Sequence, residues 1–359
     1  MTGAIVLSAG GTGGHLFPAQ ALAGELTRRG RKIVVMTDAR FANYATSFPG
    51  AQIETVSSAP LNSLMAPFKI LAGVIEALTK LLRLKPDAVI GFGGYPSVPV
   101  MLAAILVRRP TAIIEQNAVV GRANRLVMNQ VRSVAAAFPI ARFAPRDKTK
   151  IVLTGNPLRP EVIALWGAPY NPPVLGGVLN LLVFGGSQGA HALSEVVPAA
   201  VTRLPQALKT RLRIVQQCRP EDLETVRAIY ANADIRAELQ PFFSDLPRRM
   251  ADAHLVIGRS GAGTVAELMA IGRPAILVPL PHALDDNQTP NAEILSRSGA
   301  GWTVPQPNLT PGSLAQMLIE ILGSPADLAK RAAAAHALAV PNAAERLADL
   351  VESLAGARA

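Results

Sequence analysis

The sequence is poor in cysteine, aromatic residues and charged residues. Its single cysteine, Cys218, excludes a disulfide within the chain of 359 residues and is typical of a reducing compartment. Aromatic residues make up 4 %, too few for the stacking surfaces of nucleic-acid binders, so we expect no nucleic-acid partner. Charged residues make up 17 % and apolar residues 50 %, which excludes a disordered polar chain. At roughly 150 residues a domain, the length predicts two domains.

Long apolar runs are missing too. The longest, from Ser97 to Val107, has about 11 residues, whereas a membrane span needs roughly 20. The apolar start, Ala4 to Leu7, is followed at once by glycines and preceded by no basic residue, unlike a signal peptide. We therefore expect the protein to be made and kept in the cytoplasm.

Several catalytic signatures are absent as well. The chain has no HExxH, CxxC or GxSxG motif, so zinc-protease, dithiol and serine-hydrolase chemistry are not indicated. Asp285 and Asp286 lack a suitably spaced third ligand for a metal. His282 stands alone and is read as structural.

The positive charge that is present lies in one half. Residues 1–160 hold 19 Lys and Arg against 7 Asp and Glu, a balance of +12, whereas residues 161–359 hold 16 against 18, a balance of −2. A basic half favours an anionic partner such as a phosphorylated substrate or an acidic membrane surface, although solubility alone could explain it.

Short apolar runs alternate with helix-like stretches, and the alternation starts twice. Ala4–Leu7 and Leu181–Phe184 read as buried strands, and each is followed by a glycine loop and then a helix. This predicts an α/β protein with two doubly wound, Rossmann-like domains that face each other across a cleft. The predicted domains are residues 1–160 and 161–340, with a last helix over 341–359 that packs on either domain.

The two glycine loops are candidate phosphate sites. Glycine brings backbone N–H groups close to a ligand, and the start of the following helix adds a favourable dipole. The first loop fits neither the dinucleotide fingerprint nor the P-loop pattern, and a plain structural turn is the alternative. His15 at its exit can act as a base or a hydrogen-bond donor. Ser187 and Gln188 supply a hydroxyl and an amide in the second loop.

Two further segments follow predicted strands. Residues 258–267 form a glycine-containing helix start, where Glu267 can accept hydrogen bonds from the two hydroxyls of a ribose or can simply favour the helix N-terminus. Residues 285–291 are dense in carboxylates and carboxamides, which suit sugar hydroxyls.

Residues 60–85 carry a wide apolar stripe at helical spacing, flanked by cations. An ordinary core-facing helix would show the same periodicity. Because the first domain is basic, the stripe also predicts a patch that rests on anionic lipid. The predicted membrane patch comprises Phe68, Lys69, Ile70, Val74, Ile75, Lys80 and Arg83.

Seven motifs in order resemble one family. They begin at Gly10, Gly91, Glu115, Thr154, Gly185, Arg259 and Asp285, and read GGTGGH, GFGGYPS, EQN, TGNPLR, GGSQGA, RSGAGTVAE and DDNQT. The set, spread over residues 4–340, resembles the MurG family of bacterial N-acetylglucosaminyltransferases, within glycosyltransferase family 28.

The resemblance implies a GT-B fold and one reaction of peptidoglycan synthesis and cell-wall biogenesis. N-acetylglucosamine passes from its UDP carrier, with inversion, to the C4 hydroxyl of the muramyl sugar of lipid I, giving lipid II. It also implies a peripheral enzyme on the cytoplasmic face of the inner membrane. Helix ends and backbone N–H groups can offset the diphosphate charge, so we expect no obligatory metal, although a divalent cation could assist.

The resemblance also implies site residues. His15 is the expected general base or, alternatively, a group that orients the acceptor, and Gly93, Gly94 and Tyr95 line the acceptor side. Binding of UDP-N-acetylglucosamine is expected from Thr12, Gly13, Gly14, Asn117, Arg159, Ser187, Gln188, Phe243, Ala262, Gly263, Thr264, Glu267, Gln288 and Asn291. Phe243 holds uracil through backbone atoms in this scheme, and the first domain faces acceptor and membrane while the second binds the donor.

Two positions depart from the family pattern. Ile114 stands where the family commonly has histidine before the EQN motif, which weakens any mechanism that uses that histidine. Ser97-Val98-Pro99 is a minor change in the second motif.

Three other functions compete. A related transferase with another acceptor would not need the apolar stripe, and a non-catalytic nucleotide-sugar sensor would keep Glu267 and Gln288 without needing His15. A basic nucleic-acid binder is disfavoured by the low aromatic content.

Overall fold

The computed structural model describes residues 3–10, 13–39, 48–59, 66–174, 176–186 and 189–356. The chain divides into two compact units, residues 1–160 with 340–359, and residues 161–339. The prediction of two doubly wound parallel-sheet domains is confirmed. The last helix belongs to the first unit.

In the described part of the first unit, seven strands form one parallel sheet, in the order β3-β2-β1-β4-β5-β6-β7. The strands are β1 (Ile5–Ser8), β2 (Ile33–Thr37), β3 (Gln52–Thr55), β4 (Ala88–Gly91), β5 (Thr111–Glu115), β6 (Ser133–Ala136) and β7 (Ile151–Leu153). The helices are α1 (Gly13–Arg28), α2 (Ala66–Leu84), α3 (Ser97–Leu106), α4 (Arg122–Val127) and, at the boundary of the units, α5 (Pro160–Ile163).

The second unit follows the same plan. Its described residues form a six-stranded parallel sheet in the order β10-β9-β8-β11-β12-β13. The strands are β8 (Leu179–Phe184), β9 (Leu212–Gln217), β10 (Arg236–Gln240), β11 (Leu255–Gly258), β12 (Ala275–Leu277) and β13 (Gly301–Thr303). The helices are α6 (His191–Val201), α7 (Gln206–Lys209), α8 (Leu223–Asn232), α9 (Leu246–Asp252), α10 (Ala262–Ile271), α11 (Gln288–Arg297), α12 (Pro311–Leu322) and α13 (Pro325–Ala337); α14 (Ala343–Gly356) returns to the first unit.

The central strands β1, β4, β5, β8 and β11 are apolar because helices cover both faces of each sheet. β1 is buried along its whole length, as is β11. In both units the strand order reverses in the middle of the sheet, at β1/β4 and at β8/β11. Ligands of open parallel sheets bind beyond the carboxyl ends of the strands at such a reversal.

The helix α14 packs on α1 of the first unit. Leu347, Val351 and Leu354 are buried in that unit's core, as their helical spacing predicts. On the rim, Arg29, directly after α1, forms ion pairs with Asp349 and Glu352. The last helix therefore belongs to the first unit through both apolar packing and charge.

One boundary differs from its prediction. The sequence pattern predicts a first helix from Pro18 to Arg29, ended by Gly30, but α1 begins at Gly13 and holds Pro18 inside it. Proline is favoured in the first turn of a helix, so Pro18 suggested a helix start at that residue. The glycine motif thus runs directly into the helix.

Candidate functional site

The carboxyl edge of the first unit is built around a tight glycine turn after β4. Gly93 and Gly94 both have positive φ, 83° and 72°. A side chain on Gly94 would bring its Cβ to 2.7 Å from the carbonyl oxygen of Gly10, so the turn needs glycine there. A Cβ on Gly93 would lie 3.3 Å from the ring of His15. The motifs at Gly10 and Gly91 are therefore adjacent in space, as the interpretation of an acceptor-side cluster requires.

His15 lies in the first turns of α1 and is held by backbone from β4. Its Nδ1 lies 2.8 Å from the carbonyl oxygen of Phe92. A carbonyl oxygen accepts only, so Nδ1 carries the proton and Nε2 of the neutral ring keeps its lone pair. Burial lowers the pKa of His15, and the negative charge of Glu115, which acts in the opposite direction, does not offset it. The ring is thus neutral at pH 7 with one nitrogen able to accept a proton.

Glu115, at the end of β5, organises this edge, and the sequence argument did not single it out. Its buried carboxylate accepts hydrogen bonds from the backbone N–H groups of Asn117 and Gly121 and from the side chain of Asn124. With the side chain of Asn117, four N–H donors surround this one carboxylate and fix its position. The signal was available: a carboxylate stands at the end of a buried strand, directly before Gln116 and Asn117.

The other predicted residues of the first unit are placed as follows. Asn117 follows β5, and its side chain and backbone both donate to Glu115. The guanidinium of Arg159 lies 5.0 Å from the ring centre of Phe17 on α1. Gly13 and Gly14 form the start of α1, whereas Thr12 lies outside the described residues. Ile114, which replaces a histidine of the family pattern, is fully buried in the sheet.

The glycine loop after β8 begins the site of the second unit. Its predicted ligands Ser187 and Gln188 lie outside the described residues. Gln217, at the end of β9, was missed by the sequence argument and fixes this loop. Its side-chain oxygen accepts from the N–H of Gly185, and its side-chain nitrogen donates to the carbonyl oxygens of Gly186 and Pro241. One amide therefore links the loops that follow β8 and β10.

The loop after β11 leads into the N-terminus of α10. The N-cap residue is Gly261, which has no side chain to cap the first N–H groups of the helix. Ala262, Gly263 and Thr264 form that first turn, and Glu267 lies in the next turn, part-buried. An uncapped helix start suits an anion, and a carboxylate follows one turn later, as the sequence predicts. Binding of phosphate here stays a prediction.

Helix α11 holds the loop after β11 in place. Gln288 Oε1 accepts from the N–H groups of Ser260 and Leu280, and Asn291 Nδ2 donates to the carbonyl oxygen of Ser260. Asn291 is fully buried. These contacts show Gln288 and Asn291 supporting the loop that precedes α10. Their predicted contact with sugar hydroxyls stays a prediction.

The segment before α11 is strained. His282, Asp285 and Asp286 all have φ between 48° and 59°, a left-handed conformation that non-glycine residues rarely adopt. Asp286 accepts a hydrogen bond from Thr289. No group of three or more His, Cys, Asp or Glu side chains in the described part of the chain could hold a metal ion.

Phe243 follows β10, and its side chain is buried under the guanidinium of Arg249, 4.4 Å from the ring centre. Arg249 is itself held by Glu238 and Asp245. The predicted contact of Phe243 with uracil through backbone atoms remains a prediction.

Helix α2 has two apolar faces, and the predicted stripe divides between them. Ala77 and Leu81 are buried, and Val74 packs on the same core as they do, so Val74 is not a surface residue. Ile70 is half-buried. The opposite face exposes four large apolar side chains, each more than half accessible: Phe68, Leu71, Ile75 and Leu82. Leu71 and Leu82 were missing from the predicted patch because spacing alone does not tell which side is covered when a helix has apolar residues on both faces.

The predicted cations around α2 also differ in role. Lys69 and Arg83 are exposed. Lys80 forms an ion pair with Glu54 and donates to the carbonyl oxygen of Thr55, so it ties α2 to β3. No helix in the described residues is long and apolar enough to cross a bilayer.

Two doubly wound units, with described glycine turns after β4 and after β8, together with the family matches below, define the class of GT-B glycosyltransferases. The chain belongs to glycosyltransferase family 28: the model of the family's N-terminal domain matches residues 5–136, and that of its C-terminal domain matches residues 180–347.

Relatives extend this match to the whole chain. Proteins of Rhodospirillum centenum and Phenylobacterium zucineum are each 49 % identical to it over 98 % of its length, which covers 94 % and 99 % of those proteins. Both are named UDP-N-acetylglucosamine–N-acetylmuramyl-(pentapeptide) pyrophosphoryl-undecaprenol N-acetylglucosamine transferase. The crystal structure of Acinetobacter baumannii MurG is similar with a TM-score of 0.82 and 34 % identity, over 98 % of this chain and 100 % of that one.

Proposed function

We propose that this chain transfers N-acetylglucosamine from UDP-N-acetylglucosamine to the C4 hydroxyl of the muramyl sugar of lipid I, the undecaprenyl-diphosphate-linked muramyl-pentapeptide, to form lipid II. The observation that carries the proposal is 49 % identity, over nearly the whole length, to relatives named for this transfer. The sites at the carboxyl edges of both sheets supply the groups that the reaction needs.

The second unit is assigned the donor. The open N-terminus of α10, at Ala262–Thr264, and the glycine loop after β8 present N–H groups to the diphosphate. Glu267 accepts from the ribose hydroxyls, and the backbone at Phe243 holds the uracil. Gln288 and Asn291 position this site and face the sugar.

The first unit is assigned the acceptor, with His15 as general base. The acceptor oxygen attacks the anomeric carbon of the donor sugar from the side opposite UDP, while Nε2 of His15 takes the hydroxyl proton. The bond from the anomeric carbon to the β-phosphate oxygen breaks, and its electron pair leaves with UDP. The neutral ring, held by Phe92 and facing the charge of Glu115, suits this role because its imidazolium would be stabilised as it forms.

The proposal is tested by following UDP release from UDP-N-acetylglucosamine with a soluble lipid I analogue, with no acceptor, and with an unrelated sugar acceptor. We expect release and a disaccharide product only with the lipid I analogue. Release with the unrelated acceptor alone would favour a different transferase. Tight binding of UDP-N-acetylglucosamine without UDP release under any of the three conditions would favour a non-catalytic nucleotide-sugar sensor.

We also propose that the transfer needs no metal. The N–H groups at the N-terminus of α10 and in the glycine loop after β8 are assigned the charge of departing UDP, and the described residues hold no cluster of metal ligands. Turnover should therefore be the same in excess EDTA as in added Mg²⁺. A loss of more than about tenfold in EDTA, restored by Mg²⁺, would contradict this expectation.

We further propose that the exposed face of α2 rests on the cytoplasmic face of the inner membrane as a peripheral contact. Phe68, Leu71 and Ile75 insert, and Lys69 and Arg83 face anionic headgroups. Replacing the three apolar residues by serine should weaken co-sedimentation with anionic liposomes about tenfold or more. Turnover of a soluble acceptor should stay unchanged.

The matched control is Leu153→Ser, which removes another half-exposed leucine of the same unit, in β7. It should not alter liposome binding. Charge reversal at Lys69 and Arg83 should weaken binding to anionic but not to neutral liposomes. Equal binding by the triple serine variant and the unmodified protein would refute the contact.

A further inference from the structure

Arg219 lies beside the glycine loop of the second unit. It follows β9 by two residues, and the side chain of Gln217 at the end of that strand is bonded to Gly185 and Gly186 of the loop. A Cβ on Gly189 would lie 3.1 Å from Cγ of Arg219. Gly189 therefore lies directly against the aliphatic stem of Arg219. Its φ of 68° is a backbone conformation that favours glycine. The guanidinium is thus carried to the carboxyl edge where β8 and β9 end.

The charge of Arg219 is poorly neutralised. Its nearest carboxylate is Glu221 at 3.9 Å, with side chains 40 % and 64 % exposed, a contact of little energy. The neighbouring Asp222 is instead engaged by His191 at 2.7 Å. Nε of Arg219 is buried and has no hydrogen-bond partner among the described residues.

A second arginine, Arg259, also has a charge that no nearby described carboxylate neutralises well. Arg259, directly after β11, is buried and donates to the carbonyl oxygens of Val278 and Pro279 and to the amide of Gln306. It has no carboxylate partner in the described part of the chain, and its buried Nε is unpaired. Burial lowers the pKa of Arg259, and the charge of Arg219 lowers it further. Two neighbouring cations, one with only a long and exposed ion pair and the other with no carboxylate partner among the described residues, favour a bound anion.

We infer that Arg219 binds the β-phosphate of the nucleotide-sugar donor and stabilises the charge on UDP as it leaves, with Arg259 reinforcing the site. The inference rests on the proposed function. The contact with the glycine loop carries the choice of phosphate. With the ribose assigned to Glu267, the first phosphate falls to the N-terminus of α10 and the β-phosphate to the loop after β8, whose Gly189 lies against Arg219. A planar guanidinium beside loop N–H groups matches a phosphate with two parallel hydrogen bonds.

The test measures binding of UDP and of UMP, which lacks the β-phosphate, by calorimetry to the full chain. Arg219→Gln should bind UDP about tenfold more weakly. This loss is near the lower end of the range for removing one hydrogen bond to a charged group. The affinity for UMP should not change. The affinity of Arg219→Lys for UDP should lie between that of the unmodified protein and that of Arg219→Gln. The matched control is Arg227→Gln on α8, an exposed arginine paired with Glu224, which should leave both affinities unchanged.

Three results would overturn the inference. UDP affinity equal to that of the unmodified protein would show that Arg219 does not contact the β-phosphate. Equal losses for UDP and UMP would indicate a structural role in the loop. Absence of UDP binding by the unmodified protein would overturn the proposed function as well, so the two failures are distinguishable. If Arg219→Gln does not fold, as judged by its thermal melt, the Lys variant alone decides.

Discussion

Replacing His15 by alanine should reduce turnover about 100- to 10,000-fold, the range for loss of a positioned base. KM for the donor should change little, because the donor is assigned to the second unit. His15→Gln should lose as much as His15→Ala, since an amide can still donate to Phe92 but cannot take the proton. His336→Ala, which removes a histidine stacked on Trp166 in the second unit, is the control and should turn over normally.

The pH profile gives an independent check on His15. A base works only when neutral, so the rate is lost as pH falls through its pKa in the folded protein. Because burial lowers that pKa, the acid limb of turnover should lie below pH 6.5, the ordinary value for histidine. The limb should vanish from the residual activity of His15→Ala. If His15→Gln turned over at the rate of the unmodified protein, His15 would only orient the acceptor and would not be the base.

Replacing Glu115 by glutamine should impair both stability and turnover. Glu115 now accepts hydrogen bonds from N–H groups of Asn117, Gly121 and Asn124. The NH2 group of a glutamine would face one of these donors and leave that donor unpaired. An unpaired buried group costs about 1–3 kcal/mol, or several degrees of melting temperature in a unit of this size. Loss of the negative charge facing His15 should also slow turnover about tenfold.

Glu76→Gln separates these two effects. Glu76 on α2 accepts from the backbone and hydroxyl of Ser57, far in sequence from His15 and in another part of the unit. The Glu76→Gln substitution should lower the melting temperature without slowing the transfer to a soluble acceptor. If Glu115→Gln melts early yet turns over at the normal rate, Glu115 is only a structural residue.

Much of the fold could be predicted from the sequence because its cause is local. Buried strands such as Ile5–Ser8 and Leu255–Gly258 are continuous apolar runs, and the glycine motifs follow them at once. The repeat of this pattern predicted two doubly wound units, and seven motifs in order predicted the family. Even the last helix showed its buried face through the spacing of Leu347, Val351 and Leu354.

What the tertiary structure alone decided concerns contacts between residues far apart in the chain. Periodicity along α2 could not show that Val74 faces the core while Leu71 and Leu82 face outward, because each side chain's exposure depends on what packs against the helix. Nor could it show that Gln217 holds the glycine loop, that Glu115 accepts from four N–H donors, or that Arg219 lies beside Gly189. Such contacts arise where separate strands end at one edge of a sheet, and that neighbourhood exists only in the folded chain.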